Sequence, residues 1–288
     1  MEATRKSSYP GAAPRAVRLI ATDLDGTLLR SDGSLSQRTI AALGRVQEAG
    51  IVVVLVSARP PRIVERIGRA AGIGGLAICC NGALLYDLDR SLVLASTTIL
   101  PDAMQWITAT LRQAMPGMCF AVENGLSVIC EPGYYACKPH SSTGQPRVAD
   151  LSACAGEPVV KLMAIHPERT PDELREYVHE LLGASYSVTH SGSDFLEIAP
   201  VSVHKAAALA NLCQRVNIDA SEVIAFGDMP NDLPMLQWAG RGVAVANAHP
   251  LVLQTASEIT LSNLDDGVAL VLEQLISPSN VVGGKLLL

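Results

Sequence analysis

Aromatic residues and basic charge are both in short supply in this chain. Aromatic side chains make up 4% of its 288 residues, so any core must be built mainly from Ala, Val, Leu and Ile. Acidic residues outnumber basic ones, and the formal net charge is −6. Because nucleic-acid-binding proteins usually carry a basic stripe, we expect no nucleic-acid partner. An anionic ligand held at one local site stays compatible with this charge.

Long apolar segments are missing as well. No run approaches the roughly 20 apolar residues that span a bilayer, so we expect no membrane partner. Residues 1–16 lack the apolar middle of a signal peptide and are rich in Pro, Gly, Ser and Arg, which predicts a disordered lead-in and a cytoplasmic protein. A Gly pair within residues 278–288 predicts a flexible tail.

Cysteine pairs with metal-ligand spacing do not occur in the sequence. None of the seven cysteines belongs to a CxxC pair, and their odd number argues against a disulfide framework. We therefore expect reduced thiols that are mostly buried as small hydrophobic side chains. What the chain does contain is 49% hydrophobic and 17% charged residues, which is enough to bury a substantial core.

Both ends of the chain show alternating strand and helix patterns. Apolar runs at 17–22, 51–56 and 76–80 are typical of strands that are covered on both faces. Helical patterns follow the first two runs, over 36–48 and from Pro60 onward. The same rhythm resumes late in the chain, with strands at 222–226 and 242–246 and helices at about 203–216, 231–238 and 268–276. This alternation predicts an α/β domain with a Rossmann-like parallel sheet.

The middle of the chain has a different pattern. Six strand-like runs occur there, at 92–99, 118–123, 126–130, 159–165, 186–189 and 195–198. Helices are predicted near 101–114 and 170–182, and a long loop over 131–157. The sequence Glu123-Asn124-Gly125 is a hairpin signal. We predict an α+β domain over 85–190, inserted into an α/β domain formed by 17–84 and 191–277.

Two aspartates, Asp23 and Asp25, come directly after the first predicted strand. Side chains two apart on a strand face the same side. Both carboxyls would ordinarily be ionised at neutral pH, so a pair in a partly dry crevice needs a cation or a shared proton. Open α/β sheets bind ligands in the crevice beyond the carboxyl ends of their strands, which favours a functional site. A turn or N-cap role explains one aspartate well and two poorly.

A second acidic stretch, GDMPND, follows the predicted strand at 222–226. Asp228 lies closest to the strand, which makes it the better candidate for direct metal binding. Asp232 lies a turn further on and could bind a metal directly or through water. Hard cations such as Mg²⁺ prefer carboxylate oxygens. The alternative interpretation is a polar loop with a proline turn.

Ser57 and Lys205 are the remaining candidates in the predicted α/β domain. Ser57 follows the run at 51–56, where a hydroxyl and free N–H groups can bind an anion. An ordinary helix cap is the alternative for Ser57. Lys205 lies near a helix start, where an amine could balance a carboxylate cluster, and a solvated surface charge is the alternative.

Taken in order, DxDGT, Ser57, Lys205 and GDxxND resemble the motifs of the haloacid dehalogenase superfamily. The resemblance is specifically to its Cof-type phosphatases with a type II α/β cap inserted between the second and third motifs. The segments that flank these motifs fit the same resemblance, including Cys80-Asn81-Gly82-Ala83 and the segment DDGVA. The chain departs from the usual Thr-Gly-Arg with Ser57-Ala58-Arg59, and Ala206 stands where a glycine often follows the motif lysine.

This resemblance implies a phosphatase that forms an aspartyl-phosphate on Asp23, with Asp25 as the acid and base. It implies Mg²⁺ as the cofactor and a small phosphorylated metabolite as the partner. The implied metal ligands are Asp23, the backbone carbonyl of Asp25, Asp228 and Asp232. The implied phosphate-binding residues are Ser57, Ala58, Lys205 and Asn231.

The cap should exclude water and select the substrate. Candidate specificity residues are Glu123, Asn124, Lys161 and the segment 134–140, each with an ordinary structural alternative. We expect His204 to be a helix-start residue. Two rival functions stay open: a phosphosugar mutase, and a non-catalytic ligand-binding or regulatory protein on the same fold. A haloacid dehalogenase fits less well, because the aspartates suit phosphoryl transfer.

Overall fold

The structure is a computed structural model that describes residues 16–139, 146–154, 156, 159–190, 194–277, 281–282 and 285–286. The predicted lead-in lies outside these residues except for Ala16. Within the described part of the chain, no helix is both long and apolar enough to cross a membrane.

The secondary structure alternates as the sequence patterns indicated. The strands of the described residues are β1 (Leu19–Thr22), β2 (Val52–Val56), β3 (Leu76–Cys79), β4 (Leu84–Asp87), β5 (Leu92–Ser96), β6 (Cys119–Glu123), β7 (Val128–Cys130), β8 (Arg147–Val148), β9 (Lys161–Ile165), β10 (Tyr186–Thr189), β11 (Leu196–Pro200), β12 (Val223–Gly227), β13 (Arg241–Ala244), β14 (Glu258–Ile259), β15 (Val281–Val282) and β16 (Lys285–Leu286). Their helices are α1 (Gln37–Glu48), α2 (Pro61–Ala71), α3 (Pro101–Ala114), α4 (Pro132–Cys137), α5 (Pro171–Leu182), α6 (Lys205–Arg215), α7 (Leu233–Trp238), α8 (Pro250–Thr255) and α9 (Gly267–Leu275).

The larger sheet has the strand order β14-β13-β12-β1-β2-β3-β4-β5. Strands β14 to β3 in this order pair in parallel, which confirms the predicted Rossmann-like parallel sheet. β1 lies at the centre, between β12 and β2, and all four of its residues are buried. The residues that follow these three strands therefore meet at one edge of the sheet.

The strand β4 (Leu84–Asp87) spans the predicted domain boundary at residue 85. The structure places β4 and β5 in the larger sheet, where β4 pairs antiparallel with β3 and β5 pairs antiparallel with β4. The reason is the turn after β3, in which Cys80, Asn81 and Gly82 have φ values of 52°, 57° and 104°. These left-handed residues reverse the chain within three positions, so the next strand returns beside β3 rather than entering a second domain.

The smaller sheet has the order β10-β11-β9-β6-β7-β8. β11 belongs to it because it pairs antiparallel with both β10 and β9, although β11 lies after the predicted boundary between residues 190 and 191. The helices α3 and α5 pack through Ile107, Leu111 and Val178 into the hydrophobic cluster that covers this sheet. We call β6 to β11 with α3 to α5 the cap, and the rest of the fold the core.

Some predicted elements differ in detail. The hairpin at Glu123-Asn124-Gly125 is confirmed, since β6 and β7 pair antiparallel across it. The predicted loop over 131–157 contains α4 and β8, although its middle lies outside the described residues. The helix α8 and the strand β14 were not predicted. Within the predicted flexible tail, β15 and β16 pair as a hairpin, and the other tail residues lie outside the description.

The core consists mainly of aliphatic side chains, as the scarcity of aromatics predicted. Phe120 and Phe226 are the aromatic members among the largest fully buried side chains of the described residues. The described cysteine side chains are all free thiols, and Cys79, Cys80, Cys130 and Cys213 are buried. The cysteines therefore act mainly as small hydrophobic residues, as expected.

Candidate active site

The candidate site lies at the carboxyl ends of the central strands. Asp23 follows β1 and is held there by its backbone N–H, which donates to the Phe226 carbonyl at 3.0 Å. Ser57 follows β2, and Asp228 follows β12. Because β1 is hydrogen-bonded to both of those strands in parallel, the three residues share one edge of the sheet. The sequence predicted this grouping.

Lys205 connects two of the predicted carboxylates. It is the first residue of α6 and is 3% exposed. Its Nζ donates to Asp23 Oδ1 at 2.6 Å and to Asp232 Oδ1 at 2.7 Å. The solvated alternative for Lys205 is therefore excluded. His204 is the N-cap of α6, and its Nδ1 accepts from the Ala207 N–H, which confirms its expected role at the helix start.

Asp232 is fully buried and organises the loop after β12. Its Oδ1 accepts from Lys205, while its Oδ2 accepts from the backbone N–H groups of Asp228 and Met229 at 3.1 and 3.0 Å. Both oxygens are thus occupied by protein donors. This arrangement favours a supporting role for Asp232 over direct metal binding.

Asp228 points into the turn between β1 and α1. Its Oδ1 accepts from the Thr27 hydroxyl at 2.9 Å. Gly26 has a φ of +75°, and a Cβ at this position would lie 2.4 Å from Asp228 Oδ2. Glycine is needed here for both the backbone conformation and the close approach of the carboxylate. The Gly26 carbonyl in turn accepts from the side-chain amide of Asn247 at 2.8 Å.

The electrostatics of this cluster are unbalanced. Burial raises the pKa of the Asp23 carboxyl well above its ordinary value, Lys205 opposes this shift, and Asp232 and Asp228 add to it. Burial, together with the neighbouring Asp232, raises the pKa of Asp228 to about 6. For Lys205, burial lowers the pKa, but Asp23 and Asp232 shift it upward on balance. Three carboxylates thus share one ammonium, which favours binding of a cation.

The donor set fits a hard divalent metal ion. Carboxylate oxygens of Asp23, Asp228 and Asp232 lie within 4.8 Å of one another, and all three residues are buried. Mg²⁺ is typically held by one or two carboxylates together with substrate phosphate and water. Since Asp232 is already occupied by Lys205 and two N–H groups, Asp23 and Asp228 are the better direct ligands.

Asp25 differs from these residues in both exposure and partner. Its side chain is 48% exposed. Its two oxygens accept from Nε and a terminal nitrogen of Arg59 at 2.7 and 2.5 Å. Its carboxylate lies outside the cluster formed by Asp23, Asp228 and Asp232. Metal binding through its backbone carbonyl stays a prediction. The Asp25 hydrogen bond raises the pKa of Arg59.

The predicted phosphate-binding residues lie around Asp23 on neighbouring turns. Ser57 is fully buried, and its hydroxyl accepts from the Arg59 N–H at 3.1 Å. Because α2 begins only at Pro61, Ser57 is not the N-cap of that helix. The Ala58 carbonyl accepts from Lys161. Asn231 lies in the turn just before α7 and donates to Asn81 Oδ1 at 3.2 Å.

The three predicted cap residues have protein partners in this structure. Glu123 accepts two hydrogen bonds from Arg62 of α2, at 2.7 and 2.8 Å. Lys161 donates to Glu197 at 2.5 Å. Asn124 accepts from backbone N–H groups of its own turn. A substrate contact for these residues stays a prediction. Within the predicted segment 134–140, His140 lies outside the described residues.

Sequence reasoning did not find several residues of this site. The predicted site residues did not include Thr27, Arg59 or Glu197. Asn81 was named only as part of a segment that flanks the motifs. Glu197 was hidden because it lies 116 positions from its partner Asn81. Asn81 carried a usable signal, because an Asn-Gly pair at a strand end marks a left-handed turn that can point a side chain into the same edge.

A cleft of about 700 Å³ lies between the cap and the core. Its lining includes His179, Tyr186 and His190 from the cap, and His204, Lys205 and Asn231 from the core. Two of the predicted phosphate-binding residues therefore border this space. Its volume is in the range typical of sites for small molecules.

Comparison with known proteins places this geometry in a family. A family model described as haloacid dehalogenase-like hydrolase matches residues 20–272. The chain is 29% identical to pyridoxal phosphate phosphatase YbhA of Escherichia coli, over 88% of this chain and 96% of the relative. It is 27% identical to 5-amino-6-(5-phospho-D-ribitylamino)uracil phosphatase YitU of Bacillus subtilis, over 90% and 97%.

A solved structure shows the same architecture. The haloacid dehalogenase-like hydrolase from Bacteroides thetaiotaomicron superimposes with a TM-score of 0.77 at 27% identity, covering 90% of this chain and 100% of that chain. The family model spans the predicted motifs from Asp23 to Asp232 as well as the cap. The resemblance predicted from those motifs is confirmed: this chain belongs to the haloacid dehalogenase-like hydrolases.

Proposed function

We propose that this hydrolase is a Mg²⁺-dependent phosphatase of the Cof type, which releases phosphate from a small monoester through an aspartyl-phosphate. The observation that carries the proposal is the buried cluster of three carboxylates around Lys205 at the end of the central strands. A nucleophilic carboxylate beside an ammonium and a cation site is what phosphoryl transfer from an anionic ester requires.

In the first half-reaction, an oxygen of Asp23 attacks phosphorus and the bond to the leaving oxygen breaks. Lys205 offsets negative charge on Asp23 and on the transferring phosphoryl group. Asp25 donates a proton to the leaving oxygen. Because Arg59 holds both oxygens of Asp25 in this structure, that ion pair must open before the proton can be donated.

In the second half-reaction, Asp25 accepts a proton from water as the water attacks phosphorus and releases Asp23. The N–H groups after β2, the Ser57 hydroxyl and the Asn231 amide are proposed to orient the phosphoryl oxygens. These groups surround Asp23 on neighbouring turns of the same sheet edge.

The proposed metal site uses Asp23, Asp228 and the backbone carbonyl of Asp25. When bound, Mg²⁺ would supply positive charge that offsets the repulsion between the phosphate ester and the nucleophile. Thr27 orients Asp228, while Asp232 fixes Lys205 and the loop N–H groups. We therefore assign Asp232 a supporting role rather than the direct ligation that the sequence left open.

The proposed substrate class is a sugar phosphate or a phosphorylated cofactor. The names of the two relatives above refer to pyridoxal phosphate and to 5-amino-6-(5-phospho-D-ribitylamino)uracil, both small phosphate monoesters. The cleft of about 700 Å³ between cap and core borders Lys205 and Asn231 and has the volume of a small-molecule site.

The test is release of inorganic phosphate from a panel of metabolite monoesters and of p-nitrophenol from its phosphate ester, with and without Mg²⁺. Wild type should show metal-dependent turnover and an acid-labile phosphoenzyme, and Asp23→Asn should show neither. Glu48→Gln is the matched control, because Glu48 is an exposed carboxylate at the end of α1. Near-normal turnover by Asp23→Asn would overturn the nucleophile assignment, and an isomerised sugar phosphate without free phosphate would indicate a mutase.

A further inference from the structure

A row of buried charged side chains lies on the cap, facing the core. Glu123, Lys161 and Glu197 lie on the neighbouring strands β6, β9 and β11, and they are 2%, 7% and 3% exposed. Glu123 and Lys161 are paired directly across β6 and β9. Lys161 Nζ donates to Glu197 Oε1 at 2.5 Å, which forms a buried ion pair inside the cap.

This ion pair contacts the core at two points. Lys161 Nζ donates to the carbonyl oxygen of Ala58, in the turn after β2, at 3.1 Å. Glu197 Oε2 accepts from Asn81 Nδ2, in the turn after β3, at 3.0 Å. Both turns belong to the sheet edge that carries Asp23. The contacts therefore join the cap to the proposed phosphate-binding turns.

Asn81 also contacts the loop after β12. Its Oδ1 accepts from Asn231 Nδ2 at 3.2 Å. Asn81 occupies a left-handed conformation with a φ of 57°, which asparagine tolerates better than most residues. The side-chain amide of Asn81 thus bridges Glu197 of the cap and Asn231 of the core from a strained turn. Strained backbone conformations persist where the surrounding structure holds them.

We call the series Glu197–Asn81–Asn231 the Asn81 chain of hydrogen bonds. The charge on Glu197 determines which side chain donates and which accepts along it. An ionised carboxylate can only accept, so Glu197 forces Asn81 to present its amide NH₂ to the cap. The Asn81 oxygen then faces Asn231, which must present its own NH₂. That group has two N–H bonds, so one is held by Asn81 and the other is left for a ligand. The Asn231 Oδ1 is buried and meets no hydrogen-bond donor among the described residues.

We propose that Glu197 and Asn81 are positioning residues that couple closure of the cap to the orientation of Asn231, and that Lys161 holds the Ala58 turn in the same way. With the cap in contact, Asn231 directs an N–H toward the phosphoryl site. Without it, the Asn81 amide can rotate and Asn231 loses its fixed orientation. This inference rests on the proposed phosphatase activity, because Asn231 matters only if it binds the transferring group.

The experiment is a double-mutant cycle on turnover of one metabolite monoester that wild type hydrolyses. Glu197→Gln is expected to lower kcat about tenfold with little change in KM, because misplaced groups cost rate more than binding. Asn231→Ala is expected to cost more. In the double variant the Glu197→Gln effect should vanish, since residues that act through one another are not additive.

A second variant addresses folding. Asn81→Gly keeps the left-handed backbone and removes only the amide, and it should reproduce the kcat loss of Glu197→Gln while the unfolding midpoint stays near that of wild type. Arg62→Gln is the matched control, because it weakens another cap–core ion pair, to Glu123, without touching the Asn81 chain. Arg62→Gln should change kcat by the same factor in wild type and in Asn231→Ala.

The outcomes separate this inference from the proposed function. No phosphate release by wild type would overturn the phosphatase proposal. Active wild type with additive effects of Glu197→Gln and Asn231→Ala would overturn the coupling alone. The coupling would also be overturned if Arg62→Gln lowered kcat as much as Asn81→Gly. Any contact between cap and core would then affect kcat equally, and the hydrogen bonds of Asn81 would have no special role.

Discussion

Two buried charge clusters of this protein differ in their balance. The site cluster joins Asp23, Asp228 and Asp232 to one cation, Lys205. The joint cluster between cap and core pairs two acids, Glu123 and Glu197, with two cations, Arg62 and Lys161. The acids and lysines of both clusters are buried and Arg62 is half-buried, yet only the joint cluster is neutral when every group is ionised.

Buried charges have different consequences in the two clusters. Paired buried charges neutralise one another, so the joint cluster needs no ligand and is accounted for as a contact between cap and core. The three carboxylates of the site cluster have hydrogen-bond partners, but Lys205 is their one cation within the cluster, so the cluster keeps an excess of negative charge when its carboxyls are ionised, which favours protons or a bound cation. Burial first, and the neighbouring carboxylates second, raise the pKa values of Asp23 and Asp228, so a cation ligand would stabilise their ionised forms.

The largest expected effect comes from removing the one cation of the site cluster. Lys205→Met should lower kcat by about 10² to 10³, the cost of losing one charge-stabilising donor. It should also lower the free energy of unfolding by about 3–5 kcal/mol, as for other broken buried pairs. Steady-state kinetics and urea unfolding measure the two effects. Lys161→Met in the joint cluster should cost similar stability but much less kcat. Equal losses of kcat would erase the distinction between the clusters.

Gly26→Ala tests the close packing of the site cluster. A methyl group here would meet Asp228 Oδ2 at 2.4 Å, and the φ of +75° disfavours alanine. We expect a loss of about 1–3 kcal/mol in unfolding free energy from backbone strain, together with weaker Mg²⁺ activation. Gly33→Ala is the control, because it has a similar φ of +78° with nothing within 4 Å of the added Cβ. Similar Mg²⁺ activation in both variants would contradict this account.

Asp228→Asn tests the charge imbalance through pH. The folded pKa of Asp228 is about 6, against an ordinary value of 3.8. The folded state therefore binds more protons than the unfolded chain between these values, so this group's contribution to stability falls as pH rises through that window. Without metal, Asp228→Asn should be more stable than wild type at pH 7 by about 1–3 kcal/mol, and the gap should close toward pH 4.

The measurement for Asp228→Asn is urea unfolding from pH 4 to 7 in chelator, taken as the difference from wild type so that other titrating groups cancel. Added Mg²⁺ should raise the melting temperature of wild type and leave that of Asp228→Asn unchanged. A pH-independent difference, or an equal response to Mg²⁺, would show that the cluster is not a charge-strained metal site.

The smallest expected effect lies in the joint cluster. Arg62→Gln keeps one donor to Glu123 and loses the charge, so we expect a stability loss of about 1 kcal/mol, typical of one hydrogen bond. Thermal unfolding at pH 7 provides the check, and a stability loss as large as that of Lys205→Met would mean that the joint cluster depends on a single cation as the site cluster does.

The site motifs were predictable because their chemistry is local in sequence. Asp23 and Asp25, like Asp228 and Asp232, are close neighbours at strand ends, where parallel topology brings such residues together. The relation between Asp25 and Arg59 was not predictable, because a 34-residue separation carries no spacing rule. The same holds for Glu197, whose alternating strand pattern fits a buried position without revealing a charged partner in the core.

The domain boundaries show the same limit. The turn Cys80–Gly82 signalled an end to β3, but only strand pairing decided that β4 and β5 continue the larger sheet. β11 was recognised as a strand, and its pairing with β9 and β10 assigned it to the cap. Strand patterns identify a buried face, whereas the choice of neighbour depends on residues far away in the chain.

Local patterns in the sequence were enough to predict the alternating α/β order, the two acidic turns and the set of residues around Asp23. Hydrophobic period and residue chemistry are properties of short segments, so they can be inferred without knowing the fold. The bridge from Lys205 to Asp23 and Asp232, the protein donors on Asp232, and the link from Glu197 through Asn81 to Asn231 became visible only in the folded protein. Hydrogen bonds depend on distances of a few tenths of an ångström between distant segments, and packing sets those distances.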